Sequence, residues 1–413
     1  MSRPLVLVLS CLIAAPALSG EESTWRPPAE GLWDEEEGLT AQVPEPPPMR
    51  TRESPPIASL RSLPASKDLI ARARLDPAGR MMVKVDGQER VLTVDPDLQE
   101  AVKGILRNYA PPYAAVVAVE PGTGRVLAMS EHSQAQPTLR GLTTAAVFPA
   151  ASIFKIVTGA ALLEAGVGGD TVECFHGGKR RLLPRHLEDS AKDRSCTSLA
   201  SAMGMSANVV FAKLTHKHLV PEKLRAWAEA FHFNRPIPFP IPTEISSALV
   251  PEEDFDFAQT GAGFGDVYMS PLHAANLAAV AANNGLWRDP VLFEDEVSPT
   301  SPGTRVMSAE QAAALEQMLE QTVTNGTARK VFRERGFRVA NAVGKTGSLA
   351  DRKPFRDYTW FVGYAPKDNP RIAVAALIVN DPIWRIRATW LARETMRLYL
   401  AKQPARPSSD QTN

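Results

Sequence analysis

The sequence predicts an α+β fold: a five-stranded antiparallel sheet covered by N- and C-terminal helices, with a large all-helical subdomain inserted. Three observations lead there. Two β-rich runs flank Pro121-Gly122-Thr123-Gly124 in "YAAVVAVEPGTGRVLAMS", which reads as a hairpin. Three more runs, "RVANAVGKTGS", "DYTWFVGYAP" and "RIAVAALIVN", come late in the chain. Between the two groups the pattern is mainly helical. Two strands early and three late make one sheet completed across the insertion, and the first and last helices cover a face of it.

The elements follow in order. "RMMVKVDGQERVLTV" alternates around Asp86-Gly87, a hairpin signal. "DPDLQEAVKGILRNY" is an amphipathic helix with Asp95 as cap and Pro96 in its first turn. "FPAASIFKIVTGAALLEAG" is an apolar helix opened by Ser152 and closed at Gly166. "SPLHAANLAAVAANNG" starts with Ser270 and Pro271, and "SAEQAAALEQMLEQTV" carries a Ser308–Gln311 capping box. "IRATWLARETMRLYL" is the last helix.

The chain has 413 residues, 44% of them apolar, enough for a large core. Formal net charge is zero, which argues against a nucleic-acid partner held by bulk electrostatics. The opening "MSRPLVLVLSCLIAAPALSG" reads as a secretory signal over 1–19, with an uncleaved anchor as the alternative. Much of the 35-residue Pro content lies before residue 65, so residues 20–66 read as a disordered Pro-rich tether. A short hairpin lead-in at 67–94, the main domain at 95–402 and a disordered tail at 403–413 complete the organisation. Export makes Cys174 and Cys196 a candidate disulfide, with two free thiols as the alternative. His216 and His218, spaced i and i+2, read as solvated surface, and no metal site or cofactor is expected.

Chemistry collects in three places. Ser152 and Lys155 share one helix face. A helix start presents free N–H donors, and a lysine buried among apolar side chains loses its charge readily, so it can deprotonate the serine. The same pattern is also that of a capping serine and a snorkelling lysine. Ser206 and Asn208 precede an apolar helix, and alone they are weak, since both residue types cap helices. Lys345, Thr346, Gly347 and Ser348 end a β-rich run: a cation for a cleft, hydroxyls for a carboxylate, and a glycine that admits close backbone approach. Lys345 near Lys155 also favours the neutral amine there, by like-charge repulsion. A plain turn is the alternative for this third segment.

Ser-x-x-Lys, then Ser-x-Asn, then Lys-Thr-Gly, in that order, resembles the motif set of penicillin-binding proteins and serine β-lactamases. "LTVDPDLQEAV", "TNGTA" and "YTWFVGYAP" also look like the transpeptidase domain, and the likeness runs from about residue 92 to 402. The resemblance implies a penicillin-sensitive D,D-transpeptidase acting on peptidoglycan stem peptides, with β-lactams as covalent inhibitors. It implies Ser152 as nucleophile, Lys155 as base, Ser206 as proton relay and Lys345 as its tuning cation. Asn208, Thr346, Gly347 and Ser348 would bind the substrate, and the N–H groups of Ser152 and Ser348 would hold the oxyanion.

The signal reading makes this an exported protein of the periplasm or cell envelope, with a tether through an uncleaved N-terminal segment as the alternative, and the resemblance adds possible cell-wall synthesis partners and no cofactor. Nothing before residue 92 has room for a glycosyltransferase domain. Phe264 stands where relatives often carry Gln, which puts one polar contact in doubt. The rival readings are a D,D-carboxypeptidase, a class D-like β-lactamase, and a non-enzymatic β-lactam sensor or wall-binding scaffold. No Glu-x-x-Leu-Asn segment supports the β-lactamase.

Overall fold

The computed structural model describes residues 60–178, 181–298, 303–334, 339, 341–352 and 354–402. The expected signal, the tether up to residue 59 and the tail lie outside them. In chain order the main elements are α1 (Pro96–Tyr109), β1 (Tyr113–Val119), β2 (Val126–His132), α2 (Lys155–Glu164), α3 (Leu199–Met205) and α4 (Asn208–His218). They continue with α5 (Asp254–Gly261), α6 (Pro271–Ala282), α7 (Ala309–Thr324), β3 (Val343–Arg352), β4 (Phe355–Ala365), β5 (Ile372–Asn380) and α8 (Ala388–Lys402).

The five strands form one antiparallel sheet in the order β3-β4-β5-β1-β2. Every residue of β1 and β5 is buried. That is why these strands read as continuous apolar runs rather than alternating ones: both sheet faces are covered. The two-residue period still sorts the side chains. Ala114, Val116 and Ala118 of β1 join Val374 and Ala376 of β5 in a core with Leu98, Val102 and Leu106 of α1 and Leu391 and Met396 of α8. Ala115, Val117 and Val119 face the other way, into a larger core that includes Leu272 and Leu277 of α6. The first and last helices cover one face, as the sequence predicts, and α6 covers the other. Each fully buried Leu or Val stabilises the fold by about 1.5–3 kcal/mol.

Local chemistry explains the boundaries. Asp95 accepts from the Leu98 N–H at 2.8 Å, with Pro96 opening α1. Ser270 caps α6 through the His273 N–H, and Ser308 and Gln311 exchange both capping-box bonds. Gly166, at φ +82°, follows the end of α2 in the left-handed conformation expected of it.

Three expectations need correction. The insertion between β2 and β3 is not all helical. It holds the hairpin Val172–Phe175/Ser195–Ser198, a small sheet of Phe148–Pro149, Val267–Met269 and Ser247–Ala248, and the pair Leu286–Trp287/Thr304–Arg305. Strands of two to four residues carry too little alternation to be read from sequence. The lead-in is a three-stranded sheet, because Arg74–Leu75 joins the Asp86-Gly87 hairpin. Residues 60–66, expected within the tether, instead run along the main body, where the Leu63 N–H donates to the Arg140 carbonyl at 3.0 Å. The cysteine alternative resolves in favour of the disulfide: Cys174 and Cys196 face each other across the hairpin and are bonded. His216 and His218 are exposed, as expected of solvated surface.

Two helix ends meet closely at the turn that carries Ser206. A Cβ on Gly326, just beyond α7, would lie 2.1 Å from the Gly204 carbonyl oxygen of α3, and a Cβ on Gly204 would meet Gln321 backbone at 2.8 Å. Two bare backbones therefore set the position of the α3 C-terminus. Gly326→Ala should destabilise the protein by roughly 1–3 kcal/mol, read as a lower urea midpoint, because neither backbone can yield without moving its helix.

Candidate active site

Ser152 sits in a 3-10 turn, Ala151–Phe154, that leads directly into α2 at Lys155. The turn is held from three sides. Ala150 N–H donates to the Val267 carbonyl at 2.9 Å, and the Trp360 indole of β4 donates to the Pro149 carbonyl at 2.9 Å. Gly263 presses on it from the α5 side, where a Cβ would lie 2.4 Å from the Ala151 oxygen. Gly347 of β3 presses from the sheet, where a Cβ would sit 3.0 Å from Ile153 Cγ1. Ala151 itself has φ +47°, a left-handed conformation that costs a non-glycine residue about 1–2 kcal/mol. Ser152 is no helix cap: its side chain makes no capping bond.

Lys155 is fully buried, and its Nζ donates to Ser152 Oγ at 2.8 Å, to Asn208 Oδ1 at 2.8 Å and to the Ala262 carbonyl. The snorkelling alternative therefore does not hold. Burial pushes its pKa well down, and the nearby Lys345 cation pushes it further. A neutral amine within hydrogen-bonding distance of a hydroxyl can accept its proton.

Ser206 and Asn208 lie on the turn between α3 and α4. Ser206 ends α3 in the left-handed conformation, φ +56°, and Asn208 opens α4. Because Asn208 Oδ1 accepts from Lys155, its amide N–H groups are the donors it can offer the cleft. Ser206 Oγ accepts from Lys345 Nζ at 2.9 Å. Among the described residues Ser206 makes no direct hydrogen bond to Ser152; its hydroxyl is bonded to Lys345, and that of Ser152 to Lys155.

Lys345, Thr346, Gly347 and Ser348 occupy β3, the edge strand of the sheet. Lys345 is fully buried, and burial lowers its pKa to about 7. Ser348 is exposed at the edge, and Thr346 is partly exposed. The third segment is therefore no plain turn. An edge strand leaves backbone groups free, which is what an extended peptide needs to pair with.

The structure brings some of the residues singled out from the sequence into direct contact and places Thr346, Gly347 and Ser348 along β3. Ser152, Lys155 and Asn208 form one bonded cluster, and Ser206 and Lys345 form another beside it. It also adds residues that the motifs do not point to. Thr327 places its hydroxyl 2.6 Å from that of Thr346, and its N–H donates to the Gly204 carbonyl at 3.1 Å. It lies in "TNGTA", whose family likeness is the only signal in the sequence that it has a role. Ala262 and Gly263 act through backbone, which a motif of side chains does not reveal. Phe264 follows them and is partly buried against the core.

The two lysines give a pH prediction. The Lys345 cation depresses the pKa of Lys155, so Lys345→Gln relieves that repulsion and Lys155 takes up a proton at higher pH. The acid limb of the β-lactam acylation rate should move upward in pH in the residual activity of that variant. A pH–rate profile with the limb unmoved would mean that the amines do not sense each other.

A buried amine poised on a serine, at the edge of an antiparallel sheet with a helical insertion, is the architecture of serine acyl-transfer enzymes. The chain belongs to the penicillin binding protein transpeptidase domain family, whose sequence profile matches residues 114–394. It is similar to the peptidoglycan D,D-transpeptidase PbpA of Mycobacterium tuberculosis, 27% identical over 336 residues, covering 70% of this chain and 66% of that protein. A D,D-transpeptidase domain from Eggerthella lenta superposes with a TM-score of 0.62 at 23% identity, covering 80% of this chain and 94% of that one. The penicillin G acyl-enzyme complex of M. tuberculosis penicillin-binding protein A gives a TM-score of 0.57 at 25% identity, covering 76% and 80%.

Proposed function

We propose that this protein is a penicillin-sensitive peptidoglycan D,D-transpeptidase, exported to the cell envelope. The observation that carries the reading is the buried Lys155 amine held 2.8 Å from the Ser152 hydroxyl, in a chain of this family. Ser152 Oγ attacks the carbonyl between the two terminal D-alanines of a stem peptide, and its proton passes to Lys155. The N–H groups of Ser152 and Ser348 stabilise the oxyanion, a contribution of about 3–4 kcal/mol per donor in related chemistry. The tetrahedral intermediate collapses, the C–N bond breaks, and the departing D-alanine nitrogen takes a proton relayed through Ser206. Lys345 tunes that hydroxyl through their hydrogen bond.

Asn208 holds the stem peptide backbone, and Thr346 and Ser348 take the terminal carboxylate. Gly347 lets the substrate strand lie close to β3. An amine of a neighbouring strand then attacks the ester, forms the cross-link and returns Ser152 to its hydroxyl form. A β-lactam enters by the same attack and stays as the ester. Other cell-wall synthesis proteins are the expected partners.

Incubation with a stem pentapeptide and an acceptor amine, read by mass spectrometry, tests the reading. The expected product is the peptide–amine adduct with release of D-alanine. Release of D-alanine with only the free tetrapeptide would make the enzyme a carboxypeptidase instead.

A further inference from the structure

The segment between the two strands of the disulfide-bonded hairpin has a charge arrangement that the reaction does not use. It folds back onto α4. Asp193 accepts from Lys213 Nζ at 2.9 Å and pairs with His176 at 2.5 Å, and Asp189 pairs with Lys217 at 2.7 Å. Lys213 also donates to the Cys174 carbonyl at 2.7 Å, which ties α4 to the base of the hairpin. Gly178 lies so close to Val209 that a Cβ would come within 2.7 Å of its side chain. Val209 directly follows Asn208, so the segment is anchored beside the catalytic cleft.

The anchoring turns Asp189 and Asp193 toward α4 lysines. The segment's cations are left outside: Arg181, Arg185, Lys192 and Arg194 are all exposed, and among the described residues none forms an ion pair. Two exposed acids stand among them: Glu188, and Asp189, whose charge is engaged by Lys213 and Lys217. In a chain of zero net charge this is a local cationic excess on a braced support.

We propose that this platform, residues 181–194, binds an acidic peptide: the carboxylate-bearing stem peptides of the peptidoglycan strand presented to the cleft. The inference rests on the transpeptidase reading above and names where the polymer is held. A single exposed charge pair contributes little, so one carboxylate gains little affinity here. A strand with repeated stem carboxylates engages several cations at once, and its attachment is multivalent and sensitive to salt. Fixed cations beside the cleft also raise the local concentration of the anionic substrate.

The test is co-sedimentation of the full chain with purified, uncross-linked glycan strands bearing pentapeptide stems, over a range of salt. The R181Q/R185Q/K192Q/R194Q variant should bind roughly tenfold more weakly and lose most of its salt dependence. Strands with chemically amidated carboxylates should bind the unaltered protein equally weakly. The charge-keeping variant R181K/R185K/R194K should retain binding, which separates lost charge from lost structure. Unchanged affinity in the Gln variant, or toward amidated strands, would overturn the platform. So would binding of poly(glycerol phosphate) through these residues with none to the strands. Labelling of the unaltered protein by a penicillin is measured alongside. Failure there removes the transpeptidase reading whatever the strands do, whereas labelling without platform-dependent binding removes only the platform.

Discussion

Ser152→Ala abolishes covalent labelling by a fluorescent penicillin, with acylation falling by roughly 10⁴-fold or more. Among the described residues no other hydroxyl receives a bond from Lys155. Ser206 is bonded to Lys345, and Thr346 to Thr327, and neither receives a bond from Lys155. The loss comes from chemistry rather than from unfolding. The Ser152 side chain caps no helix, and the turn around it is held by Pro149, Ala150, Gly263 and Gly347. Lys155 keeps Asn208 Oδ1 and the Ala262 carbonyl as acceptors once the hydroxyl is gone. The thermal midpoint should therefore stay within a few degrees of the parent, and gel labelling with a melting curve on the same sample separates the two effects. Persistent labelling of the variant would refute Ser152 as nucleophile.

Lys155→Met slows acylation by roughly 10³-fold, within the range that a positioned general base contributes. Methionine has a similar volume and suits a fully buried site, so packing survives. Its cost is an unpaired Asn208 Oδ1 and Ala262 carbonyl, about 1–3 kcal/mol per buried group, partly offset by no longer burying an amine. Lys155→Arg is the sharper comparison. A guanidinium can donate to the same oxygens but keeps its proton throughout the working range, so it should be nearly as slow as the methionine variant. Stopped-flow acylation of the three proteins settles the point, since a fast arginine variant would show that Lys155 only donates hydrogen bonds.

The direction of the pH dependence comes from the same burial. The folded-state pKa of Lys155 is depressed, so the reactive neutral amine is present above that pKa and lost as pH falls through it.

Much of the fold and site is legible in the sequence, for physical reasons that differ along the chain. The sheet can be read because β1 and β5 are buried on both faces and stay apolar throughout. Helix starts can be read because Asp95, Ser270 and Ser308 supply acceptors that the helix cannot provide for itself. The Ser152–Lys155 pair can be read because three residues place two side chains on one face, and the turn that precedes α2 keeps them within 2.8 Å.

What escapes depends on backbone or on long-range closure. The hairpin that carries Cys174 is too short to show a period, and only the pairing of its strands decides for the disulfide. Residues 60–66 have the composition of a tether, yet a single register against Arg140 orders them. Gly204 and Gly326 look like ordinary loop and helix glycines until the two backbones are seen to touch. Thr327 lies 19 residues before Thr346, and no local pattern predicts that their hydroxyls meet.

The mechanism depends most on one atom: the oxygen of Ser152 must be the one that carries the acyl group. The direct measurement is peptide mapping by mass spectrometry after treatment with penicillin G. The proteolytic peptide containing residue 152 should gain the mass of one penicilloyl group, with fragmentation placing it on that serine. A penicilloyl mass on any other residue, or an unmodified peptide at saturating drug, would contradict it.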